Sequence, residues 1–177
     1  MIDTDELVRR NAEVAASGSF ANLTIRATGN LRVIGCVDSR VDPGDVLGLK
    51  LGEATVIRNV GGRVTPATLR TLAMLAKVSQ ANSDGRPQGD AHVVILHHTG
   101  CGIRDLAAFP DLLAEYFEIP VADLDGKEVT DPAASVRVDV EFVKQGLAPG
   151  VFVSGLVYDV TTGLIKAVVP PTRVDPK

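Results

Sequence analysis

Three short runs of β-branched and other apolar residues, at positions 31–37, 54–58 and 91–97, recur along the chain with helix-like stretches between them. Each run is apolar at consecutive rather than alternate positions and is bounded by turn residues, as expected of strands covered on both faces. Strands separated by helices join in parallel, because a parallel pair needs a long crossover. The chain is thereby confined to an α/β fold with a mainly parallel central sheet and flanking helices. Two later runs, 151–159 and 164–168, flank Thr161-Thr162-Gly163 and read as a hairpin, which adds an antiparallel C-terminal edge.

The intervening helices have recognisable starts. Residues 3–17 carry Leu7, Val8, Asn11, Ala12, Val14 and Ala15 behind an acidic first turn, an amphipathic helix ending at Ser17-Gly18-Ser19. Asp42-Pro43-Gly44-Asp45 opens a short helical turn. Thr65-Pro66 supplies a cap and first-turn proline for a helix through about Ser79, and Asp131-Pro132 does the same for one that places Val136, Val140 and Val143 on a common side before Gly146. Gly85 to Gly89, with Pro87, reads as an exposed loop. A length of 177 residues suits one domain spanning 1–177.

Eighteen basic residues against 22 acidic ones, with no basic cluster and few aromatic rings for stacking, argue against a nucleic-acid partner. The N-terminal residues are acidic where a secretory signal is basic, and no apolar run approaches the roughly 20 residues that cross a bilayer. The expectation is a cytoplasmic protein without a membrane span. A reducing cytosol disfavours a Cys36–Cys101 disulfide and leaves both cysteines available as thiols.

Those two cysteines end or follow predicted strands. Cys36 opens Cys36-Val37-Asp38-Ser39-Arg40 at the carboxyl end of the first, and the loop immediately after the third delivers His98 and Cys101. Ligands of open α/β sheets gather beyond the strands' carboxyl ends, so the two motifs can converge on one ion despite their separation in sequence. Two thiolates and an imidazole suit Zn²⁺ and leave a fourth tetrahedral position for water, whose pKa the metal can lower from about 15.7 to about 7.

Cys36-x-Asp38-Ser39-Arg40, Arg58-Asn59-Val60-Gly61-Gly62 and His98-x-x-Cys101-Gly102, in that order and at similar spacing, resemble the motifs of the β-class carbonic anhydrases. With the closing hairpin, the resemblance covers about residues 31 to 169. It implies a β-carbonic-anhydrase-like fold and one Zn²⁺ per subunit held by Cys36, His98 and Cys101. Asp38 and Arg40 would form the catalytic pair, with Asp38 accepting a hydrogen bond from zinc-bound hydroxide and Arg40 keeping that carboxylate placed and ionised. In some family members this aspartate ligates the metal instead. Val60, Gly61 and Gly102 would line the substrate pocket beside Gly62 and Gly100, with the Gly102 amide a donor to the developing negative oxygen. The reaction implied is reversible hydration of CO₂ to bicarbonate. Family members pair through an exchanged N-terminal helix, so residues 1–20 are expected to form a helical arm in a homodimer or higher homo-oligomer.

Other side chains have plainer readings. His97 is expected to be packed or hydrogen bonded rather than a ligand, His92 structural, Arg58 and Arg63 salt-bridge partners, and Asp42 and Asp45 a helix start. The pattern also departs from its relatives. Plant-type members place a glutamine upstream of the first cysteine, whereas Gln80, Gln88 and Gln145 all lie downstream, and the absence of tryptophan removes a side chain used in the noncatalytic bicarbonate pocket of some bacterial members. The compact bacterial subgroup it resembles also includes a carbonyl sulfide hydrolase, so carbonyl sulfide or carbon disulfide hydrolysis at the same zinc is the alternative activity. A noncatalytic zinc or thiol-binding protein is disfavoured by Asp38 and Arg40, since a structural site needs a fourth protein ligand. A cysteine phosphatase needs five residues between cysteine and arginine, and here three separate Cys36 from Arg40.

Overall fold

The computed structural model describes residues 2–19, 21–83 and 90–176. The expected loop at 85–89 lies outside them.

Five strands form one sheet, β1 (Leu31–Cys36), β2 (Ala54–Asn59), β3 (His92–His98), β4 (Phe152–Tyr158) and β5 (Ile165–Arg173), in the order β2-β1-β3-β4-β5. The first four are mutually parallel and β5 is antiparallel to β4, as the alternation of strands and helices predicts. The chain runs from β1 outward to β2, then returns to place β3 on the other side of β1. That reversal makes the β1/β3 crevice a topological switch point, where ligands of open sheets bind.

Successive side chains on β1 and β3 enter opposite cores, which is why these runs are apolar throughout. Ile34, Val93 and Ile95 pack with Leu72 of α3 (Pro66–Ala81) and with Val136, Val140 and Val143 of α5 (Pro132–Lys144). Val33, Val94 and Leu96 pack on the other face with Val41 and, from α2 (Pro43–Leu47), Val46 and Leu47. The expected starts hold: Asp42 caps α2, Thr65 and Thr68 form a reciprocal capping box on α3, and Asp131 accepts the Ala133 amide at 2.8 Å to start α5.

Three features differ from the sequence-based expectations. His98 is the last residue of β3, paired with Tyr158 of β4, rather than part of the following loop. β5 runs on through Pro170 and Pro171, which an edge strand tolerates because a missing N–H costs it no inner ladder bond. Between Cys101 and Asp131, where no element is assigned from the sequence, 3₁₀ turns (Gly102–Ala108 and Val121–Lys127) flank α4 (Pro110–Phe117). Ile103, Leu113 and Phe117 form a separate apolar cluster there, against which Cys101 packs.

The N-terminal helix, α1 (Thr4–Ala16), buries none of its residues, and Leu7, Val8 and Val14 are each more than half exposed. No helix among the described residues is long and apolar enough to cross a membrane.

Candidate metal centre

Cys36 at the end of β1, His98 at the end of β3 and Cys101 in the loop beyond it meet at the β1/β3 crevice, with one donor atom from each lying within 4.8 Å of the others. The two sulfurs are 3.7 Å apart. Two thiolates each about 2.3 Å from a shared tetrahedral ion stand about 3.8 Å apart, whereas a disulfide needs about 2.05 Å. Both cysteines are free thiols. His98 Nδ1 lies 2.9 Å from the Thr99 carbonyl oxygen, which can only accept, so Nδ1 carries the proton and Nε2 the lone pair. Nε2 is buried and has no hydrogen-bond partner. An orphaned imidazole lone pair beside two sulfurs fits a soft-to-borderline divalent cation, and this donor set suits zinc.

The two sulfurs form one hydrogen-bonded pair in which either can be the donor. Cys36 is pushed down to about 4, first by its hydrogen bond with Cys101, against the opposing effect of burial, and then by His98 and the Asp38 and Gly61 amides. Cys101 is pushed up by the same contact and by burial. Burial disfavours the charged form of His98, but its contacts with Cys36 and Thr99 and the charges of Cys36 and Asp38 outweigh that and raise its pKa.

Asp38 stands beside this trio without joining it. Arg40 grips it through Nε to Oδ1 at 3.0 Å, Nη2 to Oδ2 at 2.7 Å and the backbone N–H to Oδ1 at 2.9 Å. Those bonds hold the carboxyl well below the usual range, so it is ionised across neutral pH. Its Oδ2 is 3.9 Å from His98 Nε2. Arg40 Nη2 also donates to the Gly100 carbonyl at 3.0 Å, tying the Cys36 loop to the Cys101 loop. Arg58 braces the former from behind, donating to the Cys36 carbonyl at 2.9 Å, the Asp38 carbonyl at 2.8 Å and the Asp42 carboxylate at 2.7 Å.

The turn Val60–Gly62 wedges between the two cysteine-bearing segments. Gly61 (φ +77°) and Gly62 (φ +65°) both occupy the left-handed region that favours glycine. A Cβ on Gly61 would come 2.5 Å from Ile103 Cδ1; one on Gly62 would come 2.9 Å from the Cys36 amide nitrogen and 3.0 Å from the Leu96 carbonyl oxygen. A small cavity of about 40 Å³ adjoins the centre, lined in part by Gly61, His98, Gly100, Cys101 and Ile103. Val60 and Gly102 are outside that lining. Val60 is exposed, with its carbonyl accepting the Tyr116 hydroxyl at 2.8 Å, and a Cβ on Gly102 would meet open space.

The remaining polar residues take structural partners. His92 Nε2 is 2.9 Å from the Ser154 hydroxyl, and His97 Nδ1 is 2.9 Å from that of Ser135. Arg63 pairs with Asp139, Nε to Oδ2 at 2.7 Å, both fully buried. Asp139 is a residue that sequence reasoning missed. Its signal was an acid three residues after Val136 and one before Val140, inside the apolar stripe of α5.

A carbonic anhydrase family model matches residues 31–115. Over 179 aligned residues, the chain is 34% identical to β-carbonic anhydrase 1 of Mycobacterium tuberculosis, covering 96% of this chain and 100% of that one. A carbon disulfide hydrolase of Acidithiobacillus thiooxidans is 30% identical over 104 residues, 58% of this chain and 46% of the relative. Among solved structures, a carbonic anhydrase from Streptococcus mutans superposes with a TM-score of 0.70 at 30% identity, covering 95% of this chain and 99% of that one.

Proposed function

The chain belongs to the β-carbonic anhydrase family, and from that premise we propose that it is a zinc lyase that interconverts CO₂ and water with bicarbonate and a proton. The observation that carries this reading is the trio of Cys36, His98 and Cys101 at metal-binding separation, beside an aspartate engaged by an arginine rather than by the trio.

Cys36, His98 and Cys101 would hold the ion, the thiolates offsetting its charge. When bound, zinc supplies a Lewis acid that lowers the pKa of water from about 15.7 to about 7. Asp38 would accept a hydrogen bond from water at the centre and so orient it toward the carbon of CO₂. Each of its oxygens has two lone pairs, and on Oδ2 Arg40 Nη2 occupies one. Arg40, its guanidinium itself tied to the Gly100 carbonyl, would hold Asp38 away from the ion. Gly61, with Val60 and Gly102 nearby, leaves room for a small linear molecule, and the Gly102 amide is the donor assigned to its oxygen. The proton produced leaves to solvent.

A second reading, hydrolysis of carbonyl sulfide or carbon disulfide at the same centre, is favoured by the relative named carbon disulfide hydrolase. Stopped-flow CO₂ hydration and sulfide release from each sulfur-containing gas, on one zinc-loaded sample, separate the two. Hydration without sulfide is expected, and sulfide without hydration would overturn the choice.

On the same reading the chain works as one domain in the cytoplasm, as a homodimer or higher homo-oligomer. The exposed apolar residues of α1 support an arm that packs on a second copy. Removing residues 1–17 is expected to reduce the mass measured by light scattering to that of a monomer; an unchanged dimer would rule the arm out.

A further inference from the structure

Behind the metal centre lies a charged group that the proposed chemistry does not use. Asp139 on α5 is fully buried, yet its pKa is lowered: burial works against ionisation, but His97 and Arg63 outweigh it. Its Oδ2 accepts from Arg63 Nε at 2.7 Å and from the Val64 amide at 3.1 Å, and Oδ1 accepts from Arg63 Nη2 at 3.3 Å. His97 Nε2 stands 3.2 Å from Oδ2 but off the line of a hydrogen bond. Arg63 Nη2 also donates to the Lys127 carbonyl at 2.6 Å, and the guanidinium carbon lies 4.9 Å from the centre of the Phe117 ring.

The contacts of Asp139 with Arg63, Val64 and His97 lead to the ligands. Arg63 and Val64 follow the diglycine turn directly, and Asn59 closes that turn from its other end, accepting the Arg63 amide at 2.8 Å and donating to the Arg63 carbonyl at 2.7 Å. The turn's Gly62 abuts the Cys36 main chain, and its Gly61 abuts Ile103, two residues beyond Cys101. His97 adjoins His98 on β3. We infer that Asp139 is a positioning residue for the metal centre, a single buried carboxylate that fixes the chain segments seating all three ligands. The inference rests on the metal-binding reading above. A buried ion pair is replaceable by well-packed apolar residues at little or no loss of stability, so its presence in this core is better explained by what it positions than by what it stabilises.

The test uses the full chain, titrating zinc against a chromophoric chelator and recording the visible spectrum of the cobalt-substituted protein. Asp139→Asn is expected to weaken metal affinity about 10- to 100-fold and to shift the cobalt bands. Asp139→Glu keeps the charge pair but displaces it by one methylene, so a smaller shift in the same direction is expected. Val140→Ala, one residue along α5, is expected to lower Tm while leaving affinity and spectrum unchanged.

Folded Asp139 variants with wild-type affinity and spectrum would overturn the inference. So would a Val140→Ala protein whose affinity falls as far as that of Asp139→Asn. If Asp139→Asn does not fold, Asp139→Glu decides the matter by the same two readouts. A wild-type chain that takes up no metal defeats the proposed function instead, whereas a metal-loaded, active wild type beside unmoved variants defeats only the role of Asp139.

Discussion

The molecule contains two aspartate–arginine pairs that share a chemistry and differ in setting. Asp38 and Arg40 sit at the mouth of the metal centre, with the arginine side chain 54% exposed; Asp139 and Arg63 lie in the core at 0% and 1%. In the first pair water screens the charges, so the arginine's main effect is to orient a carboxylate that faces the site. In the second, burial shuts both side chains away from solvent, so the two charges depend on one another. Burial therefore decides whether an identical ion pair acts on chemistry or on architecture.

The largest expected effect comes from breaking the buried pair. Asp139→Leu should cost about 3–5 kcal/mol in urea unfolding because it strands Arg63, while the double replacement Asp139→Leu with Arg63→Met should recover most of that loss. Recovery of stability without recovery of zinc affinity would sharpen the distinction between holding the fold and holding the site. Full recovery of both would dissolve it.

The mouth pair should behave in the opposite sense. Asp38→Asn is expected to retain zinc and to leave Tm nearly unchanged, while CO₂ hydration falls about 10- to 100-fold. Loss of the metal in that variant, measured by elemental analysis, would make Asp38 a structural group like Asp139.

A separate test concerns the thiols of the metal centre. Cys36 has a folded-state value of about 4 against an ordinary 9.0, so its contribution to the metal-free fold is complete above the unfolded value and is lost as pH falls through about 4. Cys101 shifts the other way and keeps its proton. Ultraviolet thiolate absorbance of the metal-free protein should therefore report one thiolate per chain at neutral pH, disappearing near pH 4. Two thiolates at neutral pH would show that Cys101 is not held protonated by its contact with Cys36.

Much of this was legible in the sequence, and for identifiable reasons. β1 and β3 were visible because consecutive β-branched residues serve two cores at once, and the ligands were visible because Cys36, His98 and Cys101 cluster where such strands end. What was hidden depends on contacts distant in sequence. The excursion from Gly102 to Lys127 forms its own cluster around Phe117 from one two-turn helix, α4, set between 3₁₀ turns, too short a periodic stretch to stand out in the sequence. Asp139 reads as a break in a stripe until Arg63, 76 residues away, is placed against it. The apolar residues of α1 suggested a packed face, yet none of them is buried among the described residues.

The atoms that a side chain at position 62 would first meet, in Cys36, Gly35 and Leu96, are all main chain. Trimming a neighbouring side chain does not remove these nearest obstructions, because they are backbone. Any other residue at position 62 therefore forces the main chain beside the first ligand to shift, and a change elsewhere that only shortens a side chain does nothing to relieve it.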